Sequence, residues 1–356
     1  MIRLLAILAC LTASLHAQSA NDTAQYLAGL PVRGTALEEF SRDQAWVDHA
    51  TGFDKSWREL DARQLSKIRA WVAQFPGDEA TARSPMFYFF SGPDSLYAQA
   101  FYPNATTYIL CGLEPVGPVP DVVKLKGAML DSALSNLRKS LNSVLSFSFF
   151  ITKDMKNDLQ QTQLSGTLPV LYVFLARAGC RIESVEPVGL DKAGAFTAGK
   201  AAVNGVKIVF FGAGGQQQTL YYFTTDLANY ALKNNRAFLA FCESQGRGLS
   251  LVKAASYLMH MEEFTTARDF LLTHSQMIVQ DDSGIPVRHF DPAKWNLRLF
   301  GSYPGPIEIF QKHTQPDLAA LYGKSNPVPL AFGFGYRWQP SQSGLILATP
   351  KPTTTP

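Results

Sequence analysis

Charge is scarce in this chain, and no stretch concentrates it. Asp, Glu, Lys and Arg make up 17% of the 356 residues and the net charge is +3. No run of Lys and Arg builds a nucleic-acid stripe or a polybasic anchor, so nucleic acid is not an expected partner. Long hydrophobic runs are missing too. Nothing approaches the roughly 20 apolar residues that a membrane-crossing helix needs. Cysteine is sparse: Cys10, Cys111, Cys180 and Cys242 stand far apart with no C-x-x-C pair, which excludes a zinc knuckle or a thioredoxin-type motif. There is no G-x-S-x-G elbow, no H-E-x-x-H and no G-x-x-x-x-G-K-[ST]. The histidines are scattered, and neither a metal nor a cofactor is expected. No period of 20–50 residues recurs, which excludes a solenoid.

The amino terminus carries the strongest signal. Met1-Ile2-Arg3 supplies one positive charge, Leu4 to Leu11 an apolar run, and Thr12 to Gln18 small and polar residues. That order is the pattern of a secretory signal peptide. It predicts removal of residues 1–17, cleavage after Ala17, and an exported protein, periplasmic or extracellular, from a bacterial-type cell. Ile7-Leu8-Ala9-Cys10 is similar to a lipoprotein box, but the run before Cys10 is short, so no lipid anchor is expected. With 46% hydrophobic residues the remainder has ample material for a core. One mixed α/β domain over 18–348 is expected, with a lobe boundary near 200 as the alternative and a disordered tail at 349–356. The three remaining cysteines are read as buried thiols, with one disulfide as the alternative.

Periodicity sketches the elements. Residues 18–55 read as a polar, irregular surface segment. Leu60 to Phe75 reads as an amphipathic helix, and Met86 to Phe90 and Thr106 to Gly112 as strands. A helix spans about 124–146, and 170–178, apolar all round, reads as a buried one. A strand at 181–188 precedes a hairpin of 206–211 with 219–224. Helices are expected at 227–243 and 249–273, a strand at 277–279, and a last hairpin of 330–338 with 345–348. The overall expectation is α/β (or α+β), a mixed sheet flanked by helices.

The unit from Met86 to Glu114 carries the best site hypothesis. Strand, glycine-containing turn, short helix, strand and acidic residue follow in the order of a Rossmann-like nucleotide fold. Ser91, Gly92 and Asp94 would form the turn and Glu114 the acid at the second strand's tip. Over these 30 or so residues the chain resembles the start of a class I methyltransferase domain, which implies S-adenosylmethionine in that turn. It departs from that pattern in having one glycine and in Pro93, which removes a donor; export also separates it from a cytoplasmic cofactor. The plainer reading is that Asp94 caps the next helix. A second cluster, Asp281, Asp282, Arg288 and His289, gathers carboxylates, an imidazole and a guanidinium within one loop, raw material for acid–base chemistry or for a salt-bridged turn. Ser250-Leu251-Val252-Lys253 has the S-x-x-K spacing of penicillin-recognising enzymes without its supporting motifs, so Ser250 is expected to cap a helix. Aromatics at Tyr303, Tyr322 and Phe332 to Trp338 would suit a sugar or peptide groove, or a packed core. The expectation that follows is an exported binding or structural protein on a degenerate nucleotide-fold scaffold, with a small molecule, sugar or peptide as partner. The alternative is an exported hydrolase or transferase using Asp94, Asp281, Asp282 and His289, with Ser91, Gly92, Glu114 and Arg288 holding the ligand.

Overall fold

The structure is a computed structural model that describes residues 20–75, 83–147 and 164–352. The leader expected at 1–17, with Cys10, lies outside these residues. Among them, nine strands form one sheet: β1 (Pro85–Tyr88), β2 (Thr107–Gly112), β3 (Arg181–Leu190), β4 (Val203–Phe211), β5 (Gln217–Thr224), β6 (Gly248–Val252), β7 (Ser275–Gln280), β8 (Trp295–Gly301) and β9 (Gly344–Pro350). Their order is β3-β4-β5-β2-β1-β6-β7-β9-β8. The central five, from β5 to β7, are parallel. An antiparallel pair closes each side, β4 and β3 beyond β5, and β9 and β8 beyond β7. The protein is a mixed α/β fold.

Both faces of the parallel centre are covered, and alternation along each strand divides the core in two. Met86 and Tyr88 of β1, Tyr108 and Leu110 of β2, and Leu249 and Leu251 of β6 enter one core. Phe87, Ile109, Cys111, Val252 and Ile278 enter the other. Strands buried on both sides need apolar residues at every position, which is why these segments lack a polar alternation. The first face is covered by helices α1 (20–27), α2 (Gln44–Leu60), α3 (Ser66–Gln74), α4 (Ser95–Phe101), α5 (Ala128–Phe147) and α6 (Leu168–Arg177). The second carries α7 (Asn229–Asn234), α8 (Ala237–Ser244) and α9 (Thr265–His274). Helix α10 (Pro316–Lys324) packs Leu318 on β8 and β9 in a small third cluster.

Helix α4 links β1 to β2 on the first face, and α9 links β6 to β7 on the second. The chain therefore winds outward in both directions from the β1/β6 boundary. In open α/β sheets such a switch point opens a crevice beyond the carboxyl ends of the strands. That geometry decides where a site is to be sought.

Four expectations need correction. Residues 20–55 are irregular only between α1 and α2: both α1 and most of α2 lie there, and Trp46, His49 and Phe53 are buried. Residues 248–252 are β6, with all five residues buried, not the start of a helix running to 273. The run GLSLV is too short and too evenly apolar for its period to distinguish helix from strand. Ser250 is consequently no helix cap; its hydroxyl shares a hydrogen bond with that of Ser275 on the adjacent β7 (2.7 Å). Finally, β9 pairs with β7 and with β8, which periodicity missed, and 330–338 forms a loop. Residue 200 lies in the β3–β4 connection, within one continuous sheet. Cys111, Cys180 and Cys242 are buried free thiols.

Candidate functional site

The turn after β1 rises to the switch point. Asp94 accepts from the backbone N–H of Tyr97 (3.2 Å), capping α4. Gly92, at φ 53°, donates its N–H to Cys111 O (3.1 Å), and Ser91 Oγ donates to Gly92 O (2.8 Å). Glu114, after β2, folds back over the same turn. Its carboxylate lies over Gly112, where a Cβ would come within 2.5 Å of Oε2 and 3.1 Å of Gly92 Cα. Tyr222 and Thr224 on β5 donate their hydroxyls to Glu114 O, each at 2.9 Å. Glu114 is 6% exposed, so it is no surface residue.

Across the switch point, Lys253 leaves the end of β6 and places Nζ 3.0 Å from Asp94 Oδ2 and 3.9 Å from the Tyr97 ring centre. Tyr88 OH donates to the same Oδ2 (2.9 Å). Neither side chain of the ion pair is more than 3% exposed. A desolvated pair of this kind holds only because each charge is compensated and hydrogen-bonded.

Asp281 and Asp282 follow β7, one strand over. Asp281 Oδ1 accepts from Ala254 N–H (3.2 Å) and Ser283 Oγ (2.7 Å), while Oδ2 is buried without a hydrogen bond. Gly335 abuts this carboxyl so closely that any Cβ there would collide with it. Burial, reinforced by the neighbouring Asp282, pushes the Asp281 carboxyl up to about 7. Burial also raises Asp282, opposed by the Tyr257 hydroxyl that donates to its Oδ2 (2.7 Å).

Backbone strain concentrates at the same edge. Among the described residues the non-glycine residues at positive φ are Phe90, after β1, and Ala254, Ser256 and Tyr257, after β6. Such conformations cost about 1–3 kcal/mol each and persist only where surroundings enforce them. Here Asp281 and Ser283 take the N–H groups of Ala254 and Ala255. Tyr336 OH donates to Ala254 O (2.9 Å) and accepts from Ser256 N–H (3.1 Å). Tyr257 stacks on His313 (5.1 Å) and meets Phe310 (4.9 Å), which closes an aromatic cover over the Asp282 side.

The structure thus gathers Ser91, Gly92 and Glu114 at one turn. It links Asp94 through Lys253 and the β6 loop to Asp281 and Asp282. Arg288 and His289 stand at the margin of this edge. Arg288 is exposed. His289 is half-buried with its Nε2 unbonded and is held below the ordinary imidazole range by burial and by Arg268 and Arg288. Arg288 and His289 both act on His260, whose Nε2 lies 3.2 Å from Asp282 O. Sequence reasoning weighed Lys253 only as part of S-x-x-K, read Tyr336 only within the aromatic segment Phe332 to Trp338, and missed Tyr88 and Tyr257. A lysine closing a short apolar run was the available signal, since it marks a strand end.

Comparison of the chain with protein-family models, curated proteins and solved structures finds no match in any of the three. Function has to be argued from the geometry. Among the described residues no three His, Cys, Asp or Glu side chains converge as a metal site requires, and no helix is long and apolar enough to cross a membrane. The carboxyl edge is rich in ionisable groups. A recess there, against Asp282, Tyr303 and Arg337, holds about 10 Å³, the space of a single water. A cleft of about 510 Å³ opens at the opposite, amino-terminal end of the strands, between the α2–α3 helix, α4, Cys180 and the β4–β5 turn.

Proposed function

We propose that this protein is an exported binding protein built on a nucleotide-type α/β scaffold whose nucleotide crevice has been filled by its own side chains. The Asp94–Lys253 ion pair carries this reading, because it occupies the switch point and uses up the groups that a ligand would need. Gly92 and Ser91 are likewise engaged with local backbone rather than turned to an open pocket. The leader-like residues 1–17 support export. A titration of the purified protein with ATP, NAD and S-adenosylmethionine tests the filled crevice: no thermal shift is expected, and saturable binding of any of them that is lost in Asp94→Asn would overturn it. Sequencing the amino terminus of protein isolated from its native host tests export, with Gln18 the expected first residue and Met1 the contrary one.

A second reading, an exported hydrolase or transferase, is favoured by one observation. Strained backbone and a buried carboxyl near neutrality meet at the end of β6 and β7, as acid–base sites tend to arrange. It requires the aromatic cover of Tyr257, Phe310 and Tyr336 to open. Activity against an ester or glycoside panel that is lost in Asp281→Asn with folding retained would move the assignment to this reading.

A further inference from the structure

The amino-terminal cleft answers to a different chemistry. Its lining is apolar at Leu65, Leu96 and Ala100, with Trp57 at its edge and the Tyr108 ring fully buried behind it. Its volume, about 510 Å³, lies within the range of about 300–1,000 Å³ usual for small-molecule sites. Its polar lining holds three carboxamides, Gln99 from α4 and Gln216 and Gln218 from the β4–β5 hairpin, beside the charged Asp61, Arg69 and Arg177. Gln99 Oε1 faces Cys180 Sγ (3.5 Å), while its Nε2 is buried without a partner. Gln218 Nε2 is committed to Pro103 O and Ala105 O (2.8 and 2.7 Å), which braces that wall. At the rim Arg69 is paired with Asp61 (2.7 Å), while Arg177 shares Asp54 (3.1 Å) with Arg58 (2.9 Å) and keeps its Nη2 buried without a hydrogen bond.

The helix on one wall is shaped to the cleft. Trp57, Asp61, Leu65 and Arg69 all line it, at intervals of four. On a regular α-helix each such step drifts about 40° around the axis, so the three steps would carry Arg69 about 120° off the face of Trp57. The π turn over Asp61–Leu65 widens the helix and brings them back into line. Turns of this kind are frequent at functional sites.

We infer that this cleft binds a neutral saccharide. The Asp61 carboxylate in the lining opposes a phosphate or carboxylate, while the Gln99 carboxamide, with a donor to spare, beside the Trp57 ring matches the hydroxyls and apolar face of a sugar. The inference deepens the binding reading above but uses none of the groups in the filled crevice.

The test is calorimetric titration of the mature protein with glucose, galactose, maltose and cellobiose, with glucuronate and glucose 6-phosphate as charged controls. Saturable binding of at least one neutral sugar is expected, weakened about tenfold in Gln99→Met and in Gln216→Ala, the loss of one or two hydrogen bonds. Gln99→Met should melt no lower than the parent, because it removes a buried donor that has no partner. No neutral sugar binding at about 10 mM with the fold intact would overturn the proposal, as would unchanged affinity in both variants or tighter binding of the charged controls. Nucleotide binding at the opposite edge would sink the filled-crevice reading and leave this one standing.

Discussion

The two ends of the parallel sheet solve opposite problems. At the carboxyl end, ionisable groups are numerous, buried and tied to one another: Asp94 to Lys253 and Tyr88, Asp281 to Ala254 and Ser283, Asp282 to Tyr257. At the amino end carboxamides and the exposed Arg69–Asp61 pair surround an open cleft. The first arrangement spends its polar groups on holding strained backbone in place. The second leaves some of its groups for a ligand. A fold family's habitual site and the site of a particular chain need not coincide, because what decides is whether the side chains there are already satisfied.

The sharpest way to break this contrast is to remove one partner at the closed end. Lys253→Met strands Asp94 without its cation and should cost about 3–5 kcal/mol in urea unfolding. The pair Asp94→Asn with Lys253→Met, which keeps a capping group and the Tyr88 contact, should recover much of that loss. If the single variant unfolds like the parent, the ion pair does not define the crevice.

Two glycines compare the ends directly. A methyl at Gly335, at φ 67°, meets the Asp281 carboxyl, so Gly335→Ala should cost roughly 2–4 kcal/mol. Gly215, at φ 80° in the β4–β5 turn, has open space around it. Gly215→Ala should therefore cost only the left-handed conformation, about 1 kcal/mol. Equal melting losses would remove the distinction between a packed edge and an open one.

A further effect is in pH dependence, and its sign follows from the raised carboxyl. With Asp281 lifted from 3.8 to about 7, the folded state holds a proton that the unfolded chain releases. That contribution is complete below the unfolded value and is lost as pH rises towards 7. His49 and His260, both lowered to about 4 by burial, act in the other direction: their contribution is complete above 6.5 and lost as pH falls towards 4. Asp281→Asn should thus raise stability above pH 7, on the order of 2 kcal/mol, and leave the acid-side loss steeper than in the parent. Melting curves from pH 4 to 8 that superimpose for both proteins would show that the Asp281 carboxyl is not held up.

Legibility followed the physics of each segment. The β1–α4–β2 unit could be read because Asp94 closes a turn, and because Met86 to Phe90 and Thr107 to Gly112 are apolar on both faces. The buried helix α6 was readable from an uninterrupted apolar run bounded by Pro169 and Gly179. Strand β6 was not, since five apolar residues suit a helix as well. Strand β8 was not, since Asn296 and Arg298 give an edge strand little contrast. Of the candidate site, Ser91, Gly92, Asp94 and Glu114 could be named from one contiguous unit. Lys253 could not be joined to them, being about 160 residues away and meaningful only beside β1.

By itself the chain's order of residues determined a two-faced apolar sheet, its helical cover, and a glycine turn followed by a capped helix, because these depend on neighbours in sequence. Only the tertiary structure decided that β6 lies beside β1, so that a lysine and an aspartate neutralise each other in the crevice. It also decided that a widened helix, a helix end and a hairpin enclose a cleft at the far edge. Both depend on which distant surfaces meet, and burial there sets whether a polar group is used up or left available.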